Sequence, residues 1–111
     1  MEMTGKIRAE LRALAHGIDT VVHIGKEGIT ENVVKQVEDV LVARELIKGR
    51  VLENAPVTPR EACDELCEIT GAHGIQVIGS KFVLYRENPD DRKIELSFMK
   101  DSKKKTAKKS K

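Results

Sequence analysis

The sequence predicts a single α/β domain, and three observations predict it. Three stretches of helical period, each opened by a threonine in N-cap position (Thr4, Thr30, Thr58), alternate with short apolar runs of strand length. Turn-forming residues (Gly17, Gly71, Gly79-Ser80 and Asn88-Pro89) punctuate the boundaries between them. At 111 residues, with 40% apolar and 34% charged side chains, the chain suits one domain with a modest core and a heavily charged surface. We assign that domain to residues 1–99. Residues 100–111 offer almost nothing to bury and are expected to be a disordered, lysine-rich tail.

The first helix is expected from Thr4 to about His16, with Ile7, Leu11, Leu14 and Ala15 as its apolar stripe and Gly17 just past its end. Val21–Ile24 reads as a strand. The second helix starts at Thr30, with Glu31 in its first turn and Val33, Val34, Val37, Val40 and Leu41 facing inward. Leu46–Leu52 is a second strand; Lys48 and Arg50 share one face of it, Ile47 and Val51 the other. Thr58-Pro59-Arg60-Glu61 is a strong helix start, because Thr58 caps, Pro59 fits the first helical position and Glu61 completes a capping box. This third helix is expected to bury Ala62, Cys63, Leu66, Cys67 and Ile69, to expose Glu61, Asp64, Glu65 and Glu68, and to stop at Gly71. Ile75–Ile78 and Lys81–Arg86 form a hairpin around Gly79-Ser80. Lys93–Phe98 is either a short edge strand or an extended end lying on the domain.

The chain is organised around residues 21–34: an apolar strand, a Gly25-Lys26-Glu27-Gly28 loop and a helix start. Two glycines at this spacing allow a tight bend with little Cβ surface. The helix behind the bend presents N–H groups that favour an anion, and Lys26 adds a positive charge. The plain alternative is a tight strand-to-helix turn with an ordinary exposed lysine. The lysines and arginines of the sheet matter only if they lie at the same edge as this loop.

Charge and composition narrow the function classes. The formal charge of +2 conceals a tail of +6 (seven lysines, one aspartate) and a domain of −4, with 13 basic and 17 acidic side chains. Anion binding by the domain therefore requires that opposite charges lie on separate faces. No apolar run reaches membrane-spanning length, and the start of the chain lacks a signal-peptide core, so a cytoplasmic protein with no membrane partner is expected. Cys63 and Cys67 lie one helical turn apart without any Cys-x-x-Cys pair, and His16, His23 and His73 are scattered. They read as structural residues, and His23 as a partly buried strand residue; no metal, cofactor or disulfide is expected. No serine, threonine or cysteine has a base and orienting group at recognisable spacing, so no catalytic residue is assigned. Gly71-Ala72-His73-Gly74 repeats the glycine spacing but follows a helix, so Gly71 reads as a C-cap. Phe82, Tyr85 and Phe98 are too few for a base-stacking sheet.

Several segments together resemble the CRM domain family, also called the YhbY-like family of RNA-binding proteins. They are Leu14-Ala15-His16, Val21 through Glu31, Glu45-Leu46-Ile47-Lys48, Thr70-Gly71-Ala72, Gln76-Val77-Ile78-Gly79 and Val83-Leu84-Tyr85-Arg86. Their order and spacing fit over roughly residues 4–97. The resemblance implies three helices packed with a mixed four-stranded sheet, similar to the C-terminal domain of bacterial translation initiation factor three. It implies binding of structured RNA, with ribosomal RNA or pre-ribosomal large subunits as partners during ribosome assembly, by a protein expected to be monomeric. Gly25, Lys26 and Gly28 carry over as the RNA-binding loop, and strand positions add Lys48, Arg50, Lys81 and Arg86 as neighbours. Three features depart from the family. Glu27 puts a carboxylate in the loop, Gly49 replaces a branched apolar residue and is expected to thin the core, and the lysine-rich tail lies outside the family core. A competing expectation is a protein-interaction module whose acidic third helix docks a basic ribosomal protein.

Overall fold

The computed structural model describes residues 2–96. Elements follow in the order α1 (Gly5–Ala15), β1 (Thr20–Ile24), α2 (Glu31–Arg44), β2 (Leu46–Val51), α3 (Pro59–Thr70), β3 (His73–Ile78) and β4 (Lys81–Tyr85). The four strands form one mixed sheet in the order β1-β2-β4-β3, with β1 parallel to β2 and the other neighbours antiparallel. This agrees with the three helices and mixed four-stranded sheet expected above.

The helix starts follow from local chemistry. The hydroxyls of Thr4, Thr30 and Thr58 accept the N–H groups of Ile7, Val33 and Glu61. The Glu61 carboxylate returns the favour by accepting the Thr58 N–H at 2.8 Å, which completes the capping box. Gly71 ends α3 at φ 77°, and Gly79 opens the β3–β4 turn at φ 59°, both in the region that costs a Cβ-bearing residue most.

Alternation along the strands divides the core in two. Val22, Ile24, Ile47, Val51, Phe82 and Leu84 point to the face covered by α2 and α3, where they meet Val37, Leu41, Ala62 and Leu66. Leu46, Val83, Tyr85 and Ile75 point the other way and are covered by α1 through Leu11 and Ala15, with Leu96. α1 covers only part of its face, and the remainder is open.

Four expectations are corrected. Ile69 is 49% exposed; Thr70 takes the inward place in the last turn, its hydroxyl satisfied by donating to the Leu66 carbonyl at 2.7 Å. Leu14 is exposed: the contact stripe of α1 is Ile7, Leu11 and Ala15, and Leu14 lies off it. His23 is exposed, because its position in β1 aims it at the uncovered face. Gly49 does not thin the core. A Cβ there would fall 2.7 Å from Phe82 Cε2, so the Phe82 ring, on the opposite strand position, already fills the space. The segment from Lys93 to Leu96 is not a strand; it is an extended end lying on the domain, with Leu96 fully buried. Phe98 and residues 100–111 lie outside the described residues.

Candidate nucleic-acid interface

The Gly25–Gly28 loop leaves the C-terminal end of β1 and turns into α2. The Gly28 N–H donates to the Gly25 carbonyl at 2.9 Å, which closes the bend. Lys26 and Glu27 stand exposed at its tip. The two glycines serve different ends. Gly28 holds φ 72°, is buried, and its missing Cβ would lie 3.1 Å from Pro56 Cγ. Its place is therefore structural, and the bare surface expected of both glycines reduces to the Gly25 side. Gly25 is partly exposed, and a Cβ there would meet only Leu52 Cδ1 at 3.8 Å.

Two hydrogen bonds bring other elements to this end of the sheet. The Leu52 N–H donates to the Ile24 carbonyl at 2.9 Å, so the exit of β2 runs beside the start of the loop. The Val51 N–H donates to the Ser80 carbonyl at 2.8 Å, which ties in the β3–β4 turn. At this same end His23 is in register with Arg50, Arg50 with Lys81, and Lys81 with Ile78. Register partners share a face, so these four side chains form one row across all four strands. All four are exposed. Neighbouring strands lie about 4.8 Å apart, so the row spans roughly 14 Å. Lys48, partly buried, stands on the same face two residues from Arg50.

Among the described residues, none of Lys26, Lys48, Arg50 or Lys81 pairs with a carboxylate. The acidic side chains of α3 (Glu61, Asp64, Glu65, Glu68) are exposed on a helix packed against the opposite face of the sheet. These four carboxylates thus lie across the sheet from Lys48, Arg50 and Lys81, while Glu27 stands beside Lys26 in the loop.

The structure gathers Gly25, Lys26, Gly28, Lys48, Arg50 and Lys81 at one end of the sheet and leaves Arg86 apart. Arg86 follows the far end of β4, where Nη1 donates to both Glu38 carboxylate oxygens and to the Thr70 carbonyl, each at 2.9 Å. It fastens α2 to the end of α3.

A family model, the CRS1/YhbY (CRM) domain, matches residues 3–86. The chain belongs to this family. Its relatives include the Bacillus subtilis protein named "Probable RNA-binding protein YqeI", 36% identical over 94 residues, covering 85% of this chain and 98% of that one. A Haemophilus influenzae protein named "RNA-binding protein" is 34% identical, covering 85% and 94%. A Staphylococcus aureus protein solved in solution, for which RNA binding has been suggested, superposes with a TM-score of 0.65 at 44% identity, covering 86% of this chain and 99% of that one.

In this CRM domain, sequence reasoning passed over two members of the exposed row. His23 and Ile78 were legible from alternation once their strands were placed, since each lies at the period of the exposed cations. It also gave Glu45 no role. Glu45 ends α2 at φ 66°, is fully buried, and its carboxylate accepts the N–H groups of Asn88 (2.6 Å), Lys93 (2.6 Å) and Ile94 (2.8 Å). These partners lie more than 40 residues downstream, so no local pattern announces them.

The cysteines behave as structural residues. Cys63 is buried and Cys67 half-buried, both with their sulfurs against Gly74. A hydrogen bond from the Cys67 thiol lowers the Cys63 pKa, while the same bond and burial raise that of Cys67. Among the described residues no group of three or more His, Cys, Asp or Glu side chains is placed to hold a metal, and no helix is long and apolar enough to cross a membrane.

Proposed function

We propose that this CRM domain binds structured RNA without catalysing a reaction, and that Gly25, Lys26, Lys48, Arg50 and Lys81 contact its sugar–phosphate backbone. The observation that carries this reading is the exposed row of His23, Arg50 and Lys81 at the same sheet end as the Lys26 loop, with neither Arg50 nor Lys81 paired to a carboxylate among the described residues. Like charges held opposite each other destabilise a sheet, and a polyanion laid across them removes that cost. Gly28 supports the site by fixing the bend, and Arg86 is not part of it. The names of the relatives support RNA as the ligand. With few aromatic side chains on the chain, contacts to backbone and shape outweigh base stacking, so sequence preference is limited. The RNA fitting the family resemblance is ribosomal, met in the cytoplasm by a monomer during assembly of the large subunit.

Crosslinking RNA to the protein in cell extract tests this directly, with both the RNA and the attached residues identified. We expect large-subunit ribosomal RNA joined to the segments holding Lys26, Lys48, Arg50 and Lys81. Crosslinks confined to α3, or an RNA population without ribosomal RNA, overturn it.

One observation favours a second contact: the exposed carboxylates on the face away from the row suit a basic ribosomal protein. Charge reversal at Asp64, Glu65 and Glu68 is then expected to release that protein partner while RNA affinity holds.

A further inference from the structure

We infer that the RNA on this face carries an unpaired nucleotide, and that Gln76 and Ile78 of β3 receive its base beside the cationic row. This rests on the RNA-binding reading above and names the kind of RNA the site selects. β3 is an outer strand of the sheet, next to β4. Ile78 is in register with Lys81, and Gln76 with Val83, which is itself in register with Lys48. Register partners share a face, so Gln76 and Ile78 continue the face of Lys48, Arg50 and Lys81 out to the sheet edge. Ile78 is 60% exposed, more than any other large apolar side chain among the described residues. Gln76 is half-buried, and among the described residues its amide forms no hydrogen bond.

Two features leave this corner open and set where it begins. Gly79 follows Ile78 at φ 59°, and a Cβ there would meet nothing within 4 Å. Toward the other end of β3 the Arg8 guanidinium donates to the Gly74 and Ile75 carbonyls, and Ile75 is buried with Leu11 and Ala15 of α1. The covered part of β3 thus stops short of Gln76. The chemistry of the face changes at the same place. Lys48, Arg50 and Lys81 suit phosphates, whereas Gln76 and Ile78 add an uncharged amide and an apolar side chain. Ile78 offers a phosphate nothing. A base gains from both: its flat face takes dispersion contact from Ile78, and its polar edge exchanges hydrogen bonds with an amide that donates and accepts. In a paired stem the base faces are stacked inside, so a bulged or looped-out nucleotide is what presents one. Neighbouring strands lie about 4.8 Å apart, close enough for a nucleotide whose phosphate sits at Lys81 to lay its base over β3.

The test separates base contact from charge. The probes are two labelled RNA duplexes of the same sequence, one fully paired and one with a single bulged nucleotide, titrated with the full chain. The natural protein is expected to bind the bulged duplex about fivefold more tightly. Ile78→Thr keeps a β-branched residue in the strand and is expected to remove most of that preference while leaving affinity for the paired duplex unchanged. Gln76→Ala is expected to narrow the preference in the same way, and Ile78→Tyr, a broader platform, to widen it. Equal affinity of the natural protein for the two duplexes overturns the inference, as does an equal loss on both from Ile78→Thr and Gln76→Ala. Arg50→Ala/Lys81→Ala is expected to weaken binding of both duplexes alike. If it weakens neither, the sheet-face reading fails instead, so the two failures are distinguishable.

Discussion

Arg50 and Lys81 face each other across the β2–β4 ladder, both exposed and neither paired with a carboxylate among the described residues. Like charges directly opposite on a sheet cost roughly 0.2–1 kcal/mol. On the proposed reading, keeping them together trades that stability for a surface that attracts a polyanion. Lys81→Glu is therefore expected to stabilise the free domain by up to about 1 kcal/mol, through a cross-strand pair with Arg50, while weakening RNA binding. Urea denaturation and RNA titration of the same variant check both signs.

Arg86 is expected to give the opposite pattern. Its guanidinium ties the Glu38 carboxylate to the Thr70 carbonyl, so Arg86→Ala removes charge-assisted bonds between α2 and α3. A loss of about 1–2 kcal/mol of unfolding free energy is expected, read as a lower urea midpoint, with RNA affinity unchanged.

Gly49 and Phe82 share one volume. Gly49→Val forces a branched side chain into space the Phe82 ring occupies and is expected to destabilise by about 1–3 kcal/mol. Adding Phe82→Leu is expected to restore part of that loss. A double-mutant cycle on thermal denaturation checks the coupling.

The loop glycines are expected to separate structure from contact. Gly28→Ala meets both a positive φ and Pro56, so it costs about 1–2 kcal/mol of stability. Gly25→Ala places its Cβ at ordinary contact distance from Leu52 and is expected to leave the melting temperature nearly unchanged while weakening RNA binding by obstructing close approach.

Most of the fold was legible because the signals are short-range. Threonine caps, the Thr58/Glu61 box and Gly71 act within a few residues, and the structure forms each as the local pattern requires. Alternation likewise placed Lys48 and Arg50 on one face. What sequence could not supply was alignment between elements. The row exists only because β2 pairs with β1 and β4 in one register. The same gap explains Arg86: its strand position was readable, but not that its end of β4 is the far one. Glu45, Phe82 behind Gly49, and Thr70 displacing Ile69 all depend on partners brought together by tertiary packing.

Tyr85 gives the fold an alkaline limit. Its hydroxyl is buried without a hydrogen-bond partner among the described residues, and burial, with the Glu45 carboxylate nearby, pushes its pKa up to about 12. The unfolded chain gives up this proton near pH 10, while the folded chain keeps it. Stability is thus fully present below about pH 10 and falls as pH rises toward 12. Tyr85→Phe is expected to be near-neutral at pH 7 and to lose the Tyr85 share of this decline. Denaturation of both proteins between pH 8 and about 12 checks it.

The central claim is that the sheet-face cations neutralise RNA phosphates. Its most direct test is the salt dependence of RNA affinity for the natural protein and the Arg50→Ala/Lys81→Ala double variant. We predict a uniform loss of affinity across RNA sequences and a log–log salt slope shallower by about 1.5, from two lost phosphate contacts. An unchanged slope and affinity, with the variant folded, would contradict the account.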